Sequence, residues 1–104
     1  MSEILSQLQQ VLIQRKNSSA QDSYVASLYN KGSDTILKKL AEETAETIMA
    51  VKDGDKQHII YESADLVFHL LVMLSQQNLN IDQVLAELES RFGRSGIAEK
   101  NSRT

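Results

Sequence analysis

Nine consecutive residues near the middle of the chain, Leu66 to Leu74, are apolar except for His69. They sit inside a longer helical pattern that Asp55 can cap and that runs to about Gln77. A helix apolar on every face has to be buried on every face. The chain has 104 residues, enough for one domain, here residues 1–104. A domain this small buries only a modest share of its surface. One copy can hardly surround such a helix, so it is expected at the centre of an oligomer, at least a homodimer that packs these helices into a shared bundle.

The rest of the chain also reads as helix. It contains no proline, and its four glycines stand at 32, 54, 93 and 96. Leu, Ala, Glu, Gln and Lys, all good helix formers, fill the intervals. Apolar residues from Ile4 to Leu12 recur at helical spacing and predict an amphipathic helix over 2–16. A short helix over 22–30 stops at Gly32. The next, capped by Ser33 or Asp34, presents Leu37, Leu40, Ala41, Thr44, Ile48 and Val51 as its core face and ends at Asp53-Gly54. Asn80 caps a last helix with Ile81, Val84, Leu85, Leu88 and Phe92 inward and Gly93 at its end. The fold class is all-α, a bundle of about four to five helices completed by dimerisation.

Composition removes several chemistries. With no cysteine there is no disulfide, no thiolate zinc site and no cysteine nucleophile. No unbroken apolar segment reaches the roughly 18 residues of a membrane span, and no secretory signal is visible, so no membrane association and a cytoplasmic location are expected. A net charge of -3 argues against binding nucleic acid by bulk electrostatics. The charge is uneven, however: Arg91, Arg94, Lys100 and Arg103 face only Glu99 in the last stretch.

The carboxylates carry the chemical signal. Glu43 and Glu46 are three residues apart and share a helix face, as do Glu42 and Glu46 at four. Alone, such a face reads equally as a solvated acidic surface. The following helix repeats the spacing with Glu62 and Asp65, and Asp65 directly precedes the apolar run, where a lone carboxylate is expensive. If the two helices are antiparallel about Asp53-Gly54-Asp55, Glu46 lies eight residues before Gly54 and Glu62 eight after. At about 1.5 Å rise per residue the two sit at matching heights. Four or five converging carboxylates need a divalent cation, and oxygen-only ligands select magnesium, or manganese, over zinc. His69, four residues beyond Asp65, is open to three roles: metal ligand, base, or packed core histidine. His58 is expected to face solvent.

The spacing Glu43-x-x-Glu46 followed by Glu62-x-x-Asp65 resembles the all-α nucleoside-triphosphate pyrophosphatases, the MazG-like superfamily. The flanking segments sharpen the resemblance. Asp22 to Leu28, Lys31-Gly32, Lys38-Lys39, Lys52 to Asp55, Tyr61 to Leu66, His69 to Leu71 and Arg91 to Gly96 are similar to phosphoribosyl-ATP pyrophosphatase, in order, over about residues 4–103. The resemblance implies a stand-alone enzyme of L-histidine biosynthesis that hydrolyses phosphoribosyl-ATP to phosphoribosyl-AMP and pyrophosphate. It implies Glu43, Glu46, Glu62 and Asp65 as metal ligands, with Glu42 as a fifth ligand or a water-orienting group.

In such an enzyme a metal-activated water attacks the α–β phosphoanhydride. Glu42, Glu43 or Glu46 takes the water's proton; the sequence does not choose among them. The substrate is a polyanion, and Lys31, Lys38, Arg91 and Arg94 are the candidates to grip its phosphates. Ser23 and Tyr24 are candidates for base or ribose contacts, with a helix cap and a core ring as their structural alternatives. Two rival readings are a MazG-like enzyme acting on non-standard deoxynucleotides and a non-enzymatic helical dimerisation module.

Overall fold

The computed structural model describes residues 2–21 and 23–92. Expectations that fall on Asp22, Gly93, Arg94 and the rest of the basic tail lie outside the described residues. Within them the chain forms five α-helices and one 3-10 turn, with no strand. They are α1 (Ser2–Gln14), α2 (Tyr24–Lys31), α3 (Ser33–Asp53), α4 (Lys56–Gln76) and α5 (Ile81–Ser90). The 3-10 turn, Arg15–Asn17, tightens what the pattern predicts as the end of the first helix.

Local chemistry sets the boundaries. Gly32 has φ 99°, where a side chain would be strained; it ends α2 and starts α3 with nothing between them. The expected cap on Ser33 or Asp34 is absent, because both already lie inside α3 and no side chain caps it. Gly54, in the left-handed conformation, closes α3. The next residue, Asp55, caps α4 by accepting from the backbone N–H groups of Gln57 and His58. This short Gly54-Asp55 link folds α3 and α4 into an antiparallel hairpin. Asn78, at φ 61°, takes the place glycine usually holds beyond a helix end. There Leu79 N–H reaches Leu74 O at 2.8 Å and Asn78 N–H reaches Ser75 O at 3.1 Å. Asn80 and Gln83 then form a reciprocal capping box for α5.

The core gathers Leu12, Val25, Leu28, Ile36, Leu71, Val72, Leu74 and Ile81, drawn from all five helices. Two polar residues, Gln9 and Ser75, are sealed beside them. The Gln9 amide donates to Leu71 O and Ser75 Oγ and accepts from Ile81 N–H, so it ties α1 to α4 and to the first turn of α5. Gln9→Leu would strand the Ile81 N–H, which stands in the first turn of α5 and has no helix partner of its own, whereas Leu71 C=O keeps its place inside α4. A buried group left unsatisfied costs about 1–3 kcal/mol, so the chemical-denaturation midpoint should fall clearly. An unchanged midpoint would show that the network is dispensable.

The structure revises three sequence expectations. Half of the apolar helix is covered within a single copy: Leu71 and Val72 are fully buried, whereas Val67 stays exposed. Neighbouring α1 and α3 do the covering, which a helix-by-helix reading cannot anticipate. Second, α3 buries Ile36, Glu43 and Ala50, while Leu37, Ile48 and Val51 of the expected core face point outward. Small Ala50 and half-buried Thr47 let α3 lie close on α4, and the apolar stripe is left uncovered in one copy. Third, α5 stops at Ser90, and Leu88 and Phe92 are exposed; only its N-terminal end packs on the core.

Among the described residues, α4 alone has the length and mean hydropathy (1.3) of a bilayer-crossing helix. Glu62 and His69 are buried on it in contacts with α3 and α2. That is how a core helix disposes its polar groups.

Candidate metal centre

The α3–α4 hairpin brings the two acidic pairs together, as the eight-and-eight spacing about Gly54 predicts. Ligand oxygens of Glu43, Glu46 and Glu62 all lie within 4.8 Å of one another, and so do those of Glu43 and Asp65 with a ring nitrogen of His69. Glu43 belongs to both groups and is the hub. Glu43 and Glu62 are buried, at 4% and 5% exposure; Asp65 is half-buried and Glu46 exposed. Thr47, one turn beyond Glu43, donates its hydroxyl to Glu43 O (2.8 Å) and Glu62 O (3.2 Å), pinning the two helices together at this height.

The electrostatics are those of an uncompensated negative cluster. Burial, then the neighbouring Asp65 and Glu46, push the Glu43 carboxyl up to about 7. Burial and Glu46 raise Glu62 as well, against the pull of His58. The Tyr24 phenol is raised by burial, with Lys39 pulling the other way. Lys39 is raised, first by the Tyr24 oxygen and then by the carboxylates around it. Its ammonium stands 3.7 Å from Glu42 and 3.9 Å from Glu43, both long for an ion pair. One oxygen of Glu43, Oε2, is buried without a hydrogen-bond partner among the described residues. A buried, unpaired carboxylate oxygen facing further carboxylates is a position that a proton shared with a neighbour or a bound cation satisfies. All the carboxylate donors are hard oxygens, which suits magnesium or manganese.

The other predicted residues divide. Glu42 is exposed beside Lys39 and outside both ligand groups. Ser23 caps α2, its hydroxyl accepting from Ala26 N–H at 3.2 Å, so the structural alternative holds for it. Tyr24 is not a core ring: it is 52% exposed and its hydroxyl meets His69 Nε2 at 3.1 Å. Lys31 and Lys38 are exposed and neither joins the cluster. Arg91 follows the last turn of α5 and pairs with Glu87 at 3.0 Å. Arg94 lies outside the described residues. His58 faces solvent as expected, beside an open cleft it lines with Glu46, Met49, Asp53 and Glu62.

Lys39 and Thr47 join the site without having been expected as site residues, and His69, already a candidate, gains its partners. Lys39, rather than Lys38, is the lysine at the cluster; the signal was its four-residue spacing to Glu43. Thr47 continues the same face one turn on. His69 is fastened at both nitrogens, to Asp65 O through Nδ1 and to Tyr24 through Nε2, and packs edge-on against Phe68. Only the docking of α2 against α4 reveals the Tyr24 link.

Residues 5–92 match the family described as Phosphoribosyl-ATP pyrophosphohydrolase. The chain is 56% identical over 103 residues to a phosphoribosyl-ATP pyrophosphatase of Vesicomyosocius okutanii, covering 99% of this chain and 98% of that protein. A protein of the same name from Ruthia magnifica is 55% identical with the same coverage. One from Methylococcus capsulatus is 54% identical over 101 residues, 97% of this chain and 96% of that one.

Proposed function

This chain belongs to the phosphoribosyl-ATP pyrophosphohydrolase family, and from that we infer that it hydrolyses phosphoribosyl-ATP to phosphoribosyl-AMP and pyrophosphate, a step of L-histidine biosynthesis. The observation that carries the site is the hub carboxylate Glu43, buried with an unpartnered oxygen between Glu46, Glu62 and Asp65. We read residues 1–104 as a single domain with this activity. A polyanionic nucleotide does not cross a lipid bilayer, so the reading implies the cytoplasm.

Glu43, Glu46, Glu62 and Asp65 would hold Mg2+, with Mn2+ as the alternative. A divalent cation there supplies charge neutralisation for the anhydride oxygens and a lowered pKa for the attacking water. The protein's own share is positional. Thr47 holds the two helices in register, and α3 and α4 aim the carboxylates from opposite sides. Glu42 lies outside the ligand groups and in solvent, so it is the carboxylate left to orient or deprotonate the water, a duty Glu43 and Glu46 share only if not taken up as ligands. Lys39 stands nearest for a phosphate; Lys31, Lys38, Arg91 and Arg94 remain candidates for the substrate's second anionic end. The deciding experiment incubates the purified chain with phosphoribosyl-ATP and magnesium and follows pyrophosphate. Release without magnesium, or none with it, would overturn the reading.

A homodimer is the second part of the proposal. Leu37, Ile48, Val51, Ile60, Tyr61 and Val67 are exposed on α3 and α4 of one copy. Several large apolar side chains left exposed on two paired helices mark a candidate association site. Ile48→Glu is therefore expected to yield a folded monomer in sedimentation at micromolar concentration, since the side chain is 57% exposed within its own chain. A wild-type chain already monomeric there would remove the proposal.

A further inference from the structure

Tyr24 and His69 form a pair that the metal reading does not use. His69 Nδ1 lies 2.8 Å from the carbonyl oxygen of Asp65 and 3.4 Å from a carboxylate oxygen of the same residue, both acceptors. A carbonyl only accepts, so the single N–H of a neutral imidazole sits on Nδ1. Nε2 is then a bare lone pair, 3.1 Å from the Tyr24 hydroxyl. Two acceptors cannot bond each other, so Tyr24 must donate its only hydrogen inward. His69 is in no position to turn away: it is 3% exposed, with Phe68 edge-on at 5.2 Å and Tyr24 edge-on at 6.0 Å. The Tyr24 oxygen is left with lone pairs alone for anything that approaches. It stands near Lys39, Asp65 and Glu43, on a ring half open to solvent.

We propose that His69 is a positioning residue that fixes Tyr24 as an acceptor-only hydroxyl at the rim of the carboxylate cluster, where it takes a hydrogen-bond donor from the nucleoside part of the substrate. The inference rests on the cluster being the active site and deepens that reading. A sugar hydroxyl or a base amine can donate to such an oxygen; a phosphate oxygen, which only accepts, cannot. The pair thereby sorts the two ends of the substrate: nucleoside against Tyr24, phosphates toward the cation side. In this arrangement His69 is a support for Tyr24 and not itself a metal ligand, because both ring nitrogens are engaged.

Two measurements test it. The first is a long-range 15N spectrum of the histidine rings at about pH 8.5, where an ordinary imidazole is neutral. The chain has 2 histidines, so His58→Gln assigns the other. The Nδ1–H tautomer is expected for His69, and the Nε2–H tautomer would overturn the proposal. The second is kinetic. Tyr24→Phe and His69→Asn should each raise KM for phosphoribosyl-ATP roughly three- to tenfold, the range for one neutral hydrogen bond, with a smaller effect on kcat. His69→Gln, whose amide oxygen can replace Nε2 as acceptor, should restore KM, and the Tyr24→Phe/His69→Asn double variant should be no worse than either alone. Inhibition by ATP, its 2′- and 3′-deoxy analogues and inosine triphosphate then separates the sources, since the analogue lacking the partner group escapes the Tyr24→Phe penalty. An unchanged KM in Tyr24→Phe, or additive losses in the double variant, would overturn the proposal. So would loss of the magnesium-induced rise in melting temperature in His69→Asn, which would make His69 a ligand. An inactive wild-type chain would instead sink the function, and the tautomer spectrum would still decide the pair.

Discussion

Glu43→Gln should stop pyrophosphate release and, in the same protein, raise the melting temperature of the metal-free chain. Both follow from one position. Glu43 lies within ligand reach of Glu46, Glu62 and Asp65, and its Oε2 has no hydrogen-bond partner among the described residues. An amide offers the cation one weak neutral donor in place of a charged one. Metal-borne charge stabilisation is worth several kcal/mol in the transition state, so the rate should fall by roughly two to three orders of magnitude. Turnover within tenfold of wild type would mean that Glu43 is not a ligand.

The stability gain comes from the same crowding. The folded state raises the Glu43 carboxyl from 4.5 to about 7, so the folded chain holds that proton more tightly than the unfolded chain does. Its contribution is fully present below pH 4.5 and is lost as pH climbs through about 7. Glu62 is raised in the same direction, chiefly by burial. In the metal-free protein at pH 8 the penalty at Glu43 is on the order of 1–3 kcal/mol, several degrees in a domain of this size. Glu43→Gln removes it at pH 8 and changes little at pH 4. Melting curves in chelator at both pH values read this directly. A variant less stable than wild type at pH 8 would show that the carboxylate is already satisfied within the protein.

Val72→Glu should unfold the chain rather than split an oligomer into folded copies. Val72 is fully buried inside its own copy, in one cluster with Leu12, Leu28, Ile36, Leu71 and Ile81. No basic side chain belongs to that cluster, so a carboxylate there is buried and unpaired. The cost, several kcal/mol, is comparable to the whole stability of a small domain, about 5–15 kcal/mol. Circular dichroism should show loss of most helix at 25 °C, in contrast to Ile48→Glu, which should keep it. A fully helical Val72→Glu monomer would place Val72 at an interface instead.

The two substitutions mark how far a linear reading reaches. Helix identity was legible, because no proline interrupts the pattern and Gly32, Gly54, Asp55 and Asn80 punctuate it where the chain turns. The acidic site was legible for a related reason: a two-residue link between antiparallel helices converts equal sequence distance into equal height, and Glu46 and Glu62 meet as that rule requires. Which side of α3 turns inward was not. The apolar residues Leu37, Ile48 and Val51 define a stripe, but periodicity says only that a stripe exists. It does not say whether the same copy or another one covers it.

What the sequence by itself determined is thus whatever depends on neighbours along the chain: helix type, caps, the hairpin and the meeting of its carboxylates. The tertiary structure alone decided what depends on which helices touch. Packing of α1 and α3 on α4 buries Leu71 and Val72 within one copy and leaves Val67 outside. Docking of α2 brings the Tyr24 hydroxyl to His69, 45 residues away, and thereby fixes which way that hydroxyl points. The phase of α3 against α4 buries Glu43 and leaves one oxygen of that carboxylate without a hydrogen-bond partner among the described residues. The physical reason is that burial and hydrogen-bond partnership are properties of contacts across the fold, and the same helix can present either face until a second helix lies against it.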